Sequence, residues 1–118
     1  MGIHVIVEEN EINKKIIFMK TIPEFVSYET VYILKSDLTE DTLLKAIEQY
    51  QGLLLERGAK NILIENRGRR QLKYPIKSSR DGVFIQMNYD ANGEIVSLME
   101  KSMKISDSIL RYLTSRMS

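Results

Sequence analysis

The stretch Asn61-Ile62-Leu63-Ile64-Glu65-Asn66 is followed, across Gly68, by an extended run from Arg70 to Lys77 and then by Val83-Phe84-Ile85-Gln86-Met87-Asn88-Tyr89. β-branched and aromatic residues dominate, so strand succeeds strand with no room for a helix between them. Gly68 reads as a turn or a bulge, and Ser78-Ser79-Arg80-Asp81-Gly82 reads as a turn. Val83, Ile85, Met87 and Tyr89 fall on one face of the later strand. Pro75 cannot donate to a ladder on both sides, which assigns its run to a sheet edge or near a strand end.

Helical patterns flank this strand pair. On the amino-terminal side, Tyr28-Glu29-Thr30-Val31-Tyr32-Ile33-Leu34-Lys35 reads as a strand. Asp37 and Thr39 are N-cap types, Glu40 and Asp41 complement a helix start, and Leu43, Ile47, Tyr50 and Leu54 recur at helical spacing. Gly58 closes that helix as a C′ residue. On the other side, a turn from Asp90 to Gly93 leads to Ile95, Leu98, Met99 and Met103 on one helix face. The ending Ile109-Leu110-Arg111-Tyr112-Leu113-Thr114 fits strand or helix by pattern alone. Taken as a strand, it completes a βαββαβ order. The expected fold is therefore α+β and ferredoxin-like: a four-stranded antiparallel sheet with both helices on one face.

Residues 27–118 supply that domain. Residues 1–26 stand apart, because Ile3 to Val7 and Ile16 to Met19 have no clear place in a complete sheet, and a loosely attached extension is expected there.

With 118 residues, 43% apolar and 28% charged, the chain has the size and composition of one globular domain. It contains no cysteine, which excludes disulfides, thiolate nucleophiles and thiolate metal sites. No apolar run approaches the roughly 20 residues of a membrane span, and the start lacks the marks of a signal or transit peptide. A soluble, unprocessed protein with no membrane partner is expected.

Catalytic candidates are few. His4 is the sole histidine and has no cysteine or carboxylate at metal-ligand spacing. Asp37, Glu40 and Asp41 are accounted for by helix capping. No phosphate-binding glycine loop or nucleophile elbow occurs. The six methionines, Met87 and Met99 among them, read as core filler. The reading is of a non-enzyme with no catalytic residue, metal, cofactor or small-molecule substrate.

Charge placement is more specific. Arg67, Arg69, Arg70, Lys73, Lys77 and Arg80 crowd the interval from Asn66 to Arg80, which contains no acid before Asp81. That leaves 11 of the 17 cations against all 16 acids elsewhere. On an extended strand Arg69, Gln71, Lys73 and Lys77 share one face, and Arg70, Leu72, Tyr74 and Ile76 the other. A charged edge can serve only to block aggregation. An acid-free, arginine-rich one favours a phosphate ligand, since guanidinium groups grip phosphate bidentately and stack on bases.

The same segment, Gly68-Arg69-Arg70-Gln71-Leu72-Lys73-Tyr74-Pro75-Ile76-Lys77, resembles the signature of the small ribosomal subunit protein six family of bacteria and plastids. Three further blocks agree in order: Tyr28 to Leu34, Gly58-Ala59, and Leu98 to Lys101 with Ile105-Ser106 and Ile109 to Leu113. The resemblance covers Tyr28 to Ser115. It implies the βαββαβ fold and a structural role: binding small-subunit ribosomal RNA together with small ribosomal subunit protein eighteen. Carried over by position, RNA contact is expected at Arg70, Gln71 and Arg111. Arg69, Lys73 and Lys77 are added on charge, and Tyr28 as a stacking or packing residue. Lys73 departs from the family's usual Ala or Ser. Relatives begin a few residues before the Tyr-Glu pair, which makes Met19 a candidate start. The wording of the signature is similar to plastid-encoded members, so a plastid or bacterial ribosome is the expected location.

Other βαββαβ proteins fit less well. Small-ligand or regulatory dimerisation modules often carry glycine where this chain has Ser36-Asp37. An RNA recognition motif needs stacking aromatics on its third strand, where only Phe84 is offered. An acylphosphatase-like enzyme needs a phosphate loop after Leu34, and none is present.

Overall fold

The computed structural model describes residues 25–117. Six elements follow in order: β1 Val26–Lys35, α1 Glu40–Glu56, β2 Lys60–Ile76, β3 Ser79–Ala91, α2 Gly93–Lys104 and β4 Ile109–Arg116. The strands form one antiparallel sheet in the order β2-β3-β1-β4. The expected ferredoxin-like arrangement holds, and Ile109 to Thr114 is its fourth strand. β1 starts at Val26; apart from Phe25 and Val26, the proposed extension lies outside the described residues.

Local chemistry sets the helix ends. Thr39 Oγ1 accepts a hydrogen bond from the Thr42 amide at 3.2 Å, with Glu40 and Asp41 in the first turn of α1. At the other end Gly58 takes φ 93°, and the Ala59 amide returns to the Leu54 carbonyl at 2.9 Å. Asn92 Oδ1 caps α2 through the Ile95 amide at 2.9 Å.

Both helices lie on one sheet face. Tyr32, Leu34, Ile85, Met87 and Tyr89 point from β1 and β3 into a core shared with Tyr50 and Leu54 of α1 and Met99 and Met103 of α2. Each such side chain contributes about 1.5–3 kcal/mol on burial. Leu54→Ala would cost about 2–5 kcal/mol, because the fixed sheet beneath it cannot collapse into the cavity. Tyr32 and Tyr50 meet edge to face at 5.5 Å. Among the described residues the one buried polar residue, Thr30, is satisfied by Tyr89 Oη at 2.7 Å and Thr114 Oγ1 at 2.9 Å.

β2 is an edge strand with Pro75 next to its end, both places a proline allows, and Gly68 is a bulge within it rather than a turn. Asn66 pairs with Ile85 and Gly68 with Phe84, leaving Arg67 as the extra residue. Gly68 adopts φ 87°, and its amide donates to Asn66 Oδ1 at 2.8 Å.

The turn expected over Ser78 to Gly82 is shorter than its composition implies. Ser79 to Gly82 belong to β3, and the chain reverses at Lys77-Ser78, where φ is 48° and 69°. Two left-handed residues give a hairpin turn whose twist matches the strands, although neither residue is the usual Asn or Gly. Lys77 therefore sits in the turn and not on a strand face with Arg69 and Lys73.

The face opposite the helices is bare of helix, although the hairpin approaches it near Ile33, and the pairing registers order it into rows. Arg70, Gly82 and Lys35 form the row nearest the hairpin tip. Gly68, Phe84, Ile33 and Arg111 form the next, then Glu65, Gln86, Val31 and Leu113, and last Leu63, Asn88, Glu29 and Ser115. A Cβ on Gly82 would overlap Ile33 Cγ2 and approach the Leu34 carbonyl to 3.1 Å, so close packing of Ile33 over β3 depends on this glycine.

Candidate nucleic-acid interface

Extension of β2 and β3 beyond the rest of the sheet carries the basic segment to one end of the molecule. Arg69 reaches back toward the β1–α1 loop: its guanidinium donates to the Ser36 carbonyl at 3.3 Å and lies 4.0 Å from Asp81. Ser36 Oγ also donates to Asp81, at 2.6 Å, which fixes that carboxylate. Arg69 remains 65% exposed, so its free edge is available to a further acceptor. Arg70 takes the opposite, bare face and lies over the Phe84 ring at 5.6 Å. Gln71 is exposed and paired with Asp81.

Past Gln71 the ladder slips, and the next registered pair is Ile76 with Ser79. The slip brings the hairpin tip over the sheet toward β4. Lys77 Nζ donates to the Ile109 carbonyl at 3.4 Å. Two clefts result. One, of about 230 Å³, is lined by Ile33, Leu72, Lys73, Tyr74, Pro75, Ile76 and Arg111. The other, of about 250 Å³, is lined in part by Lys77, Lys104, Leu110 and Arg111. Arg111, about 30 residues beyond the end of the basic run in sequence, is common to both. No carboxylate lines either cleft. Among the described residues, only Arg67 and Arg69 of the basic run have a carboxylate within 4 Å, Arg67 through Glu65 at 3.3 Å.

Arg69, Arg70, Gln71, Lys73, Lys77 and Arg111 thus gather at one end. Tyr28 does not. It stacks on Tyr89 at 6.0 Å on the helix-bearing face, roughly 17 Å along β1 from Ile33. There it is partly buried and packed against the core. Lys104 and Arg80, to which the sequence assigns no RNA contact, join the group: Lys104 lies in the last turn of α2 beside Lys77 and Arg111, and Arg80 lines a cleft with Gln71 and Lys73. Arg80 was visible as part of the acid-free run, whereas a lone lysine at a helix end is ordinary dipole compensation by sequence.

Among the described residues no helix is long and apolar enough to cross a membrane, and no cluster of His, Asp and Glu is placed to hold a metal ion.

Comparison with known proteins gives concordant results. The family model described as Ribosomal protein S6 matches residues 27–116. Small ribosomal subunit protein bS6c of Guillardia theta is 63% identical over 89 residues, covering 75% of this chain and 93% of that protein. Small ribosomal subunit protein bS6 of the cyanobacterium Trichormus variabilis is 48% identical over 87 residues, covering 74% and 81%. The crystal structure of 30S ribosomal protein S6 from Thermotoga maritima superposes with a TM-score of 0.75 over 80% of this chain and 89% of that one, at 23% identity, and so shares its fold.

Proposed function

The chain belongs to the ribosomal protein S6 family, structural components of the small ribosomal subunit rather than enzymes, and on that premise we propose that it binds small-subunit ribosomal RNA through the hairpin end of its sheet, together with small-subunit protein eighteen. One observation carries the reading: cations from β2, the hairpin turn, α2 and β4 converge on clefts without a carboxylate. Such a group attracts a polyanion, and its spread over four elements holds the charges in fixed relation to a phosphate backbone.

The partner protein fits the middle of the bare face. There Val31 and Leu113 pair across β1 and β4, with Leu113 67% exposed and Phe84 one row away. An apolar patch bounded by the basic end on one side and Glu29 on the other suits a protein surface better than an RNA one. The binding unit is residues 27–118, which takes in the sheet apart from Val26, and the site of action is a plastid or bacterial ribosome, as the plastid and cyanobacterial relatives support. Affinity capture of the chain from its own cells tests the proposal. Small-subunit RNA and protein eighteen should be recovered together, and recovery of neither would overturn it.

A further inference from the structure

The cleft between the hairpin and β4 has a composition that plain phosphate binding does not require. Its floor is apolar: Ile33 is 8% exposed, and Leu72 and Ile76 are half-buried. One wall is Tyr74, which is 72% exposed although it lies in a strand and carries a large aromatic ring. Pro75 follows it and restricts the backbone that holds the ring. Lys73 and Arg111 stand at the rim. A volume of about 230 Å³ lies below the roughly 300–1,000 Å³ of pockets that enclose drug-sized ligands, and suits a single planar ring system.

We propose that this cleft receives one unstacked base of the bound RNA, laid against the Tyr74 ring over Ile33, Leu72 and Ile76, with its flanking phosphates held by Lys73 and Arg111. The inference rests on the RNA-binding reading above and adds to it a class of nucleotide: an unpaired one, from a bulge, loop or junction. A paired base is covered on both faces by its neighbours and cannot offer one to Tyr74. An unpaired base can leave the stack and rest on an aromatic side chain. The two cations and the lack of any acid in the lining favour a nucleotide over an apolar side chain of a partner protein, which would leave Lys73 and Arg111 without anions to meet.

The test uses the full chain with protein eighteen and two RNA hairpins: one with a single bulged 2-aminopurine, the other fully paired with 2-aminopurine in the same strand position. Tyr74→Ala should weaken binding of the bulged hairpin by about 10-fold or more and remove the fluorescence quenching that stacking produces. Its binding to the paired hairpin and its salt dependence should stay unchanged, and Tyr74→Phe should retain both affinity and quenching. Equal weakening of both RNAs by Tyr74→Ala, or of neither, would overturn the base site. The RNA-binding reading would survive that result if charge reversal at Arg69, Arg70 and Lys73 still abolished binding. Loss of protein eighteen binding by Tyr74→Ala, with RNA affinity intact, would assign the cleft to the protein and overturn the proposal. Failure of the unaltered pair to bind either RNA would overturn both readings.

Discussion

Lys77 Nζ donates to the main-chain carbonyl of Ile109 at 3.4 Å, so the turn between β2 and β3 is tethered across β1 to the far edge strand. The ammonium stays beside Arg111 while one of its three protons is engaged. Lys77→Ala should cost about 1 kcal/mol in urea unfolding, less than the roughly 1.5–3 kcal/mol of a hydrogen bond to a charged group because this one is long. It should also lower the salt slope of RNA binding by roughly 0.7 to 0.9 if the ammonium meets a phosphate.

Replacing Arg69, Arg70 and Lys73 together with Glu should leave the circular dichroism spectrum unchanged, since all three side chains are exposed. The same variant should be absent from small subunits on sucrose gradients, because three proposed phosphate contacts would become three repulsive ones. Normal incorporation of the folded variant would remove the basic run from the interface.

Leu113→Glu places a charge in the middle of the bare face. Stability should change by no more than about 0.5 kcal/mol, as expected at a site 67% exposed. Binding of protein eighteen should weaken by at least tenfold in calorimetric titration, since a carboxylate would be buried against an apolar surface without a partner. An unchanged titration would move the partner to another surface.

Ser78 occupies a left-handed conformation, φ 69°, at the second position of the hairpin turn. Ser78→Gly should raise stability by about 0.5–1 kcal/mol, because the steric cost of that conformation exceeds the extra entropy glycine loses on folding. Thermal melts should show a small upward shift.

At high pH the core tyrosines should drive unfolding. Burial, followed by the neighbouring Tyr50, raises the Tyr32 hydroxyl far above its ordinary value, and burial likewise raises Tyr50 and Tyr89. Above about pH 10 the unfolded chain releases these protons while the folded one keeps them. Stability is therefore fully present below pH 10 and falls as pH rises from there toward the folded values, by about 1.4 kcal/mol per pH unit for each tyrosine. The Tyr32 hydroxyl is buried with no hydrogen-bond partner, so Tyr32→Phe should be neutral or stabilising at pH 7 and should flatten the alkaline decline in guanidinium melts.

The fold was legible because its strands alternate cleanly. Ile85, Met87 and Tyr89 are buried where period-two spacing puts them, and Thr39 and Gly58 end α1 by local chemistry that needs no tertiary context. The place of the hairpin turn is not legible, because Ser79-Arg80-Asp81-Gly82 has turn composition whereas the reversal occurs at Lys77-Ser78. There Asp81 instead serves Ser36 and Arg69, and Gly82 makes room for Ile33. Such uses depend on partners distant in sequence. The same limit hid Lys104, whose neighbours Lys77 and Arg111 come from other elements, and the position of Tyr28, which depends on its register with Tyr89.

The pairing of β1 with β4 has a consequence for the chain as it is being made. Tyr28 meets Arg116 and Ile33 meets Arg111, so the second strand in the sheet's centre waits for a neighbour synthesised some 80 residues later. Until β4 has emerged, a nascent chain can pair β1 with β3 but carries a bare β1 edge and lacks Arg111 at the clefts beside the hairpin. Closing so long a loop makes this the most nonlocal step in forming the sheet. A product truncated before Ile109 therefore lacks both its fourth strand and Arg111, and on the proposed reading it should fail to join the small subunit.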